Sequence, residues 1–340
     1  MSVIVPVHNG KNVLPLCLSA LKRSDLARDS WELIVVDDAS TDGSGDVARG
    51  IADQVISLHD RPRGPAFARN RGAEAASGAI LAFVDSDMSV HRDSLSQLSA
   101  RLRDNPSIAA VFGSYDDRPS APGFISQYRN LLHHYVHHRN SGVAHSFWAG
   151  CGAVRHSAFV DAGMFDERRY RRAEIEDVEL GYRLRDKGYR LLLDPSIQAT
   201  HHKKWTLPAM LRADFFNRGV PWTRLLLERG AFLSGGGASV GATDKLSVLL
   251  VGFGLLFLAV GVLFLSERLV AAAAICILLI GVVNRRLLQW FDRVRGPGFA
   301  LGCTGMIVVY HSLNVASTIW GVATYAAGRS TLQYRKNPAP

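Results

Sequence analysis

Cysteine is scarce in this chain. Its 340 residues hold four, at positions 17, 151, 276 and 303, with no close pair. That scatter excludes a disulfide framework and a structural zinc site and fits a reducing compartment for the soluble part. There is also no zinc-finger spacing and no aromatic RNA-binding signature. The basic surplus, 39 Lys and Arg against 30 Asp and Glu, therefore points to an anionic membrane surface or a phosphorylated substrate rather than to nucleic acid. The N-terminus lacks both the basic region and the apolar core of a signal peptide. Long apolar runs are missing before Lys245, where short ones are broken by charge. After it they dominate, at about 246–265, 269–284 and 300–325. The first has the ~20 residues a membrane span requires. The second joins it through Ser266-Glu267-Arg268 as a helical hairpin. The third carries His311, Ser312 and Asn314, which leaves open whether it spans, re-enters or lies against its neighbours.

What the first 205 residues contain is an alternation of strand and helix patterns. Ser2–Val7, 31–38, 54–59, 79–84, 108–115 and 189–199 read as strands. Between them, helical spacing appears at Leu14, Cys17, Leu18 and Leu21, over 65–77 with Gly78 as its C′ residue, over 92–104, over 122–140 and over 174–188. Such alternation calls for an α/β, Rossmann-like, mostly parallel sheet. Two strands end in acids, Asp37-Asp38 and Asp85-Ser86-Asp87. Parallel strands point one way, so both pairs face one crevice, the edge where such sheets bind ligands. Carboxylates at a buried strand end need a cation, and hard oxygen donors suit Mg²⁺ or Mn²⁺. His133, His134, His137 and His138 fall at helical spacing, but no carboxylate stands in register with them, which favours packing over metal binding. Arg168–Arg172 reads equally as a phosphate-holding or a solvated loop. Residues 206–218 and 221–229 read as two helices broken at Gly219-Val220-Pro221. Their aromatic and Arg content suits the membrane interface.

Five segments together resemble family 2 glycosyltransferases: Ser2-Val-Ile-Val-Pro-Val-His-Asn9, Val35-Val-Asp-Asp-Ala-Ser-Thr-Asp-Gly-Ser44, Ala68-Arg-Asn-Arg-Gly72, Phe83-Val-Asp-Ser-Asp87 and Glu176-Asp177. The resemblance covers residues 1–205. It implies a GT-A fold and inverting transfer from a nucleotide-diphosphate sugar. By the same resemblance Pro6, Val7 and Asn9 underlie the nucleotide base and Asp38 recognises it. Arg69 meets the nucleotide and diphosphate, and Asp85 and Ser86 meet the donor. Asp87 ligates a divalent metal, joined by His201, although His202 is adjacent. Asp177 is the general base with Glu176 beside it, and Gly150, Cys151 and Gly152 shape the acceptor pocket. The Gln-x-x-Arg-Trp motif of processive relatives is replaced by Asn217-Arg-Gly-Val-Pro-Trp222, which speaks against polymer export.

The expected organisation is thus a GT-A domain over 1–205, interfacial helices and linker over 206–245, transmembrane helices over 246–327 and a basic tail over 328–340. Arg285, Arg286, Arg293 and Arg295 place their loop, and with it the catalytic domain, on the cytoplasmic side of a membrane such as the bacterial inner membrane. The expected partners are a nucleotide-sugar donor, a lipid or lipid-linked acceptor and the membrane. A polyprenyl-phosphate acceptor and a non-catalytic nucleotide-sugar-binding subunit are the alternatives.

Overall fold

The computed structural model describes residues 1–233 and 241–328. They fall into two compact units that meet in sequence at Trp205 and Thr206. The basic tail beyond residue 328 lies outside the described residues.

The first unit opens with β1 (Ser2–Val7), α1 (Leu14–Lys22), β2 (Glu32–Asp38), α2 (Ser44–Arg49), β3 (Gln54–Leu58), α3 (Pro65–Ala75) and β4 (Ile80–Val84). It continues with β5 (Met88–Val90), α4 (Ser94–Asp104), β6 (Ile108–Tyr115), α5 (Phe124–Arg139), β7 (Gly142–Ala144), β8 (Cys151–Arg155), α6 (His156–Asp161), α7 (Glu176–Asp186) and β9 (Arg190–His201). One sheet takes the order β3-β2-β1-β4-β8-β6-β9-β5, with β7 paired to β9. The pairs β2–β3, β1–β2 and β1–β4 are parallel. Beyond β4 the sheet is mixed, because β8 runs antiparallel to both β4 and β6.

Three of these strands are invisible to the sequence pattern. β8 is the small-residue stretch that continues through Cys151-Gly-Ala-Val-Arg155, almost wholly interior but poor in the branched residues that announce a strand. β5 and β7 are three residues each, too short to show a period. Gly78 is not a helix C′ residue: α3 ends at Ala75, and Ala76 is already extended. Gly78 is small because a Cβ there would lie 2.7 Å from the Ser2 nitrogen.

The sheet is covered on both faces. Val3, Val5, Val35, Ala82 and Val84 pack with Leu14, Leu18, Leu21, Leu95, Leu98 and Leu102 of α1 and α4. On the other face Phe83 packs among Phe159 and Phe165, with ring centroids 5.2–5.5 Å apart. There α3 lies so close that a Cβ on Gly72 would stand 2.5 Å from Ile4 Cγ2 and 3.1 Å from Val36 Cγ2. Gly72→Ala is therefore expected to destabilise the protein by about 1–3 kcal/mol, the usual cost of overpacking. Chemical denaturation reads it directly, and a neutral result would show that α3 can retreat.

The second unit begins with α8 (Leu207–Arg212) and α9 (Val220–Glu228). The sequence pattern breaks the helix at Gly219–Pro221. The chain instead runs on through a π-helical segment, Ala213–Gly219, and Pro221 falls in the first turn of α9, where an N–H is not needed. Then follow α10 (Ala242–Leu263), α11 (Glu267–Val283), α12 (Arg285–Arg295) and α13 (Pro297–Ala326). α10 and α13 are long and apolar enough to cross a membrane; α11 and α12 qualify only as a pair bent by 62°. The Arg-rich connection expected to be a loop is thus the helix α12.

Candidate active site

The site is assembled at the carboxyl ends of β1, β2 and β4. Beyond β1 the chain turns at Asn9, which takes a positive φ of 50°. That turn is laced to the segment after β2. Asn9 N–H donates to Ser40 Oγ at 2.9 Å, Thr41 N–H donates to Asn9 Oδ1 at 2.9 Å, and Gly10 N–H donates to Ser44 Oγ at 2.9 Å. Pro6 and Val7 lie buried in β1 beneath it. The two acids ending β2 have separate jobs. Asp37 accepts the Ser40 N–H at 3.0 Å and closes its own turn. Asp38 reaches the loop after β3, accepting the N–H groups of Arg63 and Gly64 at 2.8–3.0 Å.

The centre is a buried ion cluster. Arg69 on α3 is 4% exposed. Its Nη2 donates to Asp85 Oδ1 at 2.7 Å and its Nη1 to Glu176 Oε1 at 2.8 Å. Burial works against the guanidinium charge, but Asp85, Glu176 and Asp177 outweigh it and hold the group firmly charged. For Asp85 burial is the dominant influence and raises its pKa; Arg69 opposes this and Asp87 adds to it. The Asp85 side chain keeps 34% of its surface exposed, so the cluster opens outward on that side, and Ser86 lies half-buried next to it.

Asp177, at the start of α7, accepts the Ala149 N–H at 3.0 Å and its neighbour Val178 N–H at 2.8 Å. Burial, then the charge of Glu176, lift its pKa to about 7. Glu176 has become the partner of Arg69, so the two adjacent acids are divided between holding a cation and remaining free to exchange a proton.

Asp87 faces His201 of β9, Oδ2 to Nε2 at 3.4 Å. Burial alone would raise Asp87, but its contact with His201, and the charges of His201 and Lys203, bring it net below its ordinary value. The His201 ring is fixed by a group that no sequence pattern singled out. Asn130 on α5 donates from Nδ2 to Ser126 O at 2.9 Å, so its Oδ1 faces His201 Nδ1 at 2.6 Å. Nδ1 must then carry the proton, which turns Nε2 toward Asp87. Tyr115 stacks on the same ring at 4.6 Å. The rival His202 is spoken for by Ser89 and Ser120.

Among the described residues no three His, Cys, Asp or Glu side chains close on one point. Asp87 and His201 alone fit a divalent cation that takes its other ligands from water and phosphate oxygens, the usual habit of Mg²⁺. The helical histidines pack instead. His134 Nδ1 lies 2.8 Å from Tyr115 O, and His137 Nδ1 lies 3.0 Å from Gly113 O. Burial drops the pKa of His137 to about 4.

Gly150, Cys151 and Gly152 are all buried. A Cβ on Gly150 would meet the Trp148 ring at 2.5 Å, and one on Gly152 the Phe147 ring at 2.9 Å. Gly150 O also accepts the Asp85 N–H at 3.0 Å. These glycines thus bring the start of β8 close to the Asp85 turn, and the half-exposed member of the stretch is Trp148.

A mixed α/β sheet with acids gathered at the ends of its parallel strands is the architecture of GT-A nucleotide-sugar glycosyltransferases. A mannosyltransferase from Pyrobaculum calidifontis, solved with GDP-Man and Mn²⁺, superposes with a TM-score of 0.58 at 18% identity, covering 94% of this chain and 86% of that one. The Glycosyl transferase family 2 model matches residues 2–162. Over those residues the chain is similar to the family 2 glycosyltransferases. Glycosyltransferase AglE of Haloferax volcanii is 38% identical over 96 residues, 27% of this chain and 32% of that protein. The pre-mycofactocin glycosyltransferase of Mycobacterium tuberculosis is 30% identical over 216 residues, 61% of this chain and 43% of that protein. The chain thus spans less than half the length of these curated relatives.

Proposed function

We propose that this protein transfers a sugar, with inversion, from a nucleoside-diphosphate sugar to an acceptor at the membrane, a lipid or lipid-linked glycan. The observation that carries the reading is the division of labour between Glu176 and Asp177. One acid is locked to Arg69. The other is poised near neutrality beside an outward-opening cluster, as a general base must be.

An acceptor hydroxyl attacks the anomeric carbon from the face opposite the diphosphate. The new carbon–oxygen bond forms as the bond to the leaving phosphate oxygen breaks, and that oxygen keeps the electron pair. The hydroxyl proton passes to Asp177. Arg69 stands beside the developing negative charge and positions Asp85. Pro6, Val7, Asn9 and Asp38 frame the nucleoside end. Gly150, Cys151 and Gly152, with Trp148, border the acceptor side. Asp87 and His201 are the residues that would hold a divalent ion, which when bound would supply Lewis-acid stabilisation of the leaving diphosphate. The Pyrobaculum enzyme's GDP-Man and Mn²⁺ agree with this donor class and metal. In the second unit, α10, α11 and α13 supply the anchor, and α12 lies outside the apolar layer. The arginines of α12 put the catalytic domain on the cytoplasmic side by the positive-inside rule.

The test is a panel of UDP-, GDP- and dTDP-sugars on the detergent-solubilised chain, with Mn²⁺ or with chelator, read by nucleotide release. One donor class turned over only with metal is expected. No release from any donor would overturn the reading.

The pH profile follows from Asp177. Its folded pKa of about 7 lies above the ordinary carboxylate value of about 3.9. Only the ionised form accepts a proton. The turnover rate is therefore expected to fall about tenfold per pH unit below 7 and to level off above it. The stability sign is the opposite. Between the two values the folded state binds more protons than the unfolded one, so Asp177 makes the protein less stable as pH rises from about 4 to 7. A profile flat down to pH 5 would remove Asp177 from the base role.

A further inference from the structure

Two loops beside the site carry a charge that the transfer step does not use. The loop after β3 holds Arg61 and Arg63, and the loop entering α7 holds Arg168, Arg169, Arg171 and Arg172. Among the described residues the side chains of Arg61, Arg63, Arg168, Arg171 and Arg172 are exposed and make no ion pair. The two loops are fastened together. Gly64 has φ +92°, and a Cβ there would stand 2.6 Å from Arg171 O, so only glycine lets the backbones meet. Asp38 clamps the same turn through the Arg63 and Gly64 N–H groups. The Arg63 guanidinium lies over Phe67, 3.5 Å from the ring centroid. Such a built crescent of uncompensated guanidinium groups is chemistry for phosphate, which arginine binds through paired N–H donors.

The donor diphosphate does not account for it. That group has Arg69 and the Asp87–His201 pair, at the ends of β4 and β9. The crescent flanks β2 and β3, and its second loop leads straight into the general base. Arg172 precedes Asp177 by five residues, so their Cα atoms are no more than about 18 Å apart. We propose that the arginine crescent is an acceptor subsite. It takes a phosphate or diphosphate that the acceptor carries next to the sugar whose hydroxyl reaches Asp177. This rests on the transferase reading and narrows its acceptor to a phosphorylated one.

The test is calorimetric titration of the full chain in neutral detergent with farnesyl diphosphate, and with farnesol as the uncharged control. UDP or GDP is present at saturation to fill the donor pocket. The variants are Arg168→Gln/Arg171→Gln/Arg172→Gln and Arg61→Gln/Arg63→Gln, all at exposed positions that the fold tolerates. The wild type is expected to bind farnesyl diphosphate and not farnesol. Each variant should weaken that binding about tenfold or more, and the Arg168/Arg171/Arg172 variant, whose loop does not bond Asp38, should hold nucleotide affinity within about twofold, as for independent sites. Unchanged binding in both variants would overturn the proposal, as would a wild type blind to farnesyl diphosphate. An equal loss of nucleotide affinity in the triple variant would also overturn it, by giving the crescent to the donor. Failure of UDP and GDP to bind the wild type would instead count against the transferase reading. The farnesyl diphosphate titration without nucleotide would still report on the crescent.

Discussion

Arg69→Ala is expected to destabilise the protein by about 3–5 kcal/mol, the usual result of removing one partner from a buried ion cluster. The guanidinium joins Asp85 and Glu176 at 2.7 and 2.8 Å, and both are left without a counter-charge when it goes. Because the penalty is the cost of buried carboxylate charge, it should shrink in acid, where Asp85, whose pKa burial raises, takes up a proton. Urea unfolding at pH 7 and at pH 4.5 separates this from simple loss of packing, which would be the same at both. Arg69→Lys is expected to rescue only in part, since a single ammonium cannot make both contacts in the fork geometry. Nucleotide-sugar binding should fall with the alanine variant even where it remains folded. An Arg69→Ala protein as stable as wild type, with unchanged donor affinity, would show that the cluster is ornamental.

Asp177→Asn removes the proposed base and one acceptor, because an amide nitrogen cannot take the Val178 N–H that a carboxylate oxygen accepts at 2.8 Å. The amide oxygen can still accept the Ala149 N–H that the carboxylate accepts at 3.0 Å. The turnover number is expected to fall by about 10²–10⁴, the usual contribution of a positioned base, with donor affinity kept. Stability at pH 8 should change little, because relief of a carboxylate ionised against the pull of burial and Glu176 offsets the lost Val178 contact. Losing activity while keeping stability is the mark of a site residue under strain. Loss of both together would make Asp177 a structural acid. Retention of activity would point to an acceptor that is already anionic and needs no base, such as a polyprenyl phosphate.

The parallel half of the sheet was legible because buried strands read as continuous apolar runs and each ends in an acid or a turn. Asp37, Asp38, Asp85 and Asp87 could be placed at one edge from strand direction alone. What pattern could not supply was pairing over long separations. Asn130 orients His201 across 71 residues of chain, and Arg69 meets Glu176 across 107. Neither has a local signature. By local pattern Glu176-Asp177 are ordinary helix-start acids, and only the fold ties Glu176 to Arg69 and Asp177 to the Ala149 N–H. β8 has no strand signature because Gly152 sits in a space hemmed in by Phe147 and Trp148, and glycine and alanine have poor strand propensity. In the second unit the apolar runs were plain. The helical state of Arg285–Arg295 was masked by its charge.

The anomeric configuration of the first-formed sugar decides whether this site inverts. The purified chain would receive the donor it turns over, with water or a natural acceptor as nucleophile, and the product would be followed by proton NMR before mutarotation. Attack assisted by Asp177 opposite the leaving diphosphate predicts that an α-linked donor yields a β product from the earliest time points. An α product at those times would require either a covalent intermediate or attack on the same face, and would contradict Asp177 as the base and Arg69 as the support of the leaving group.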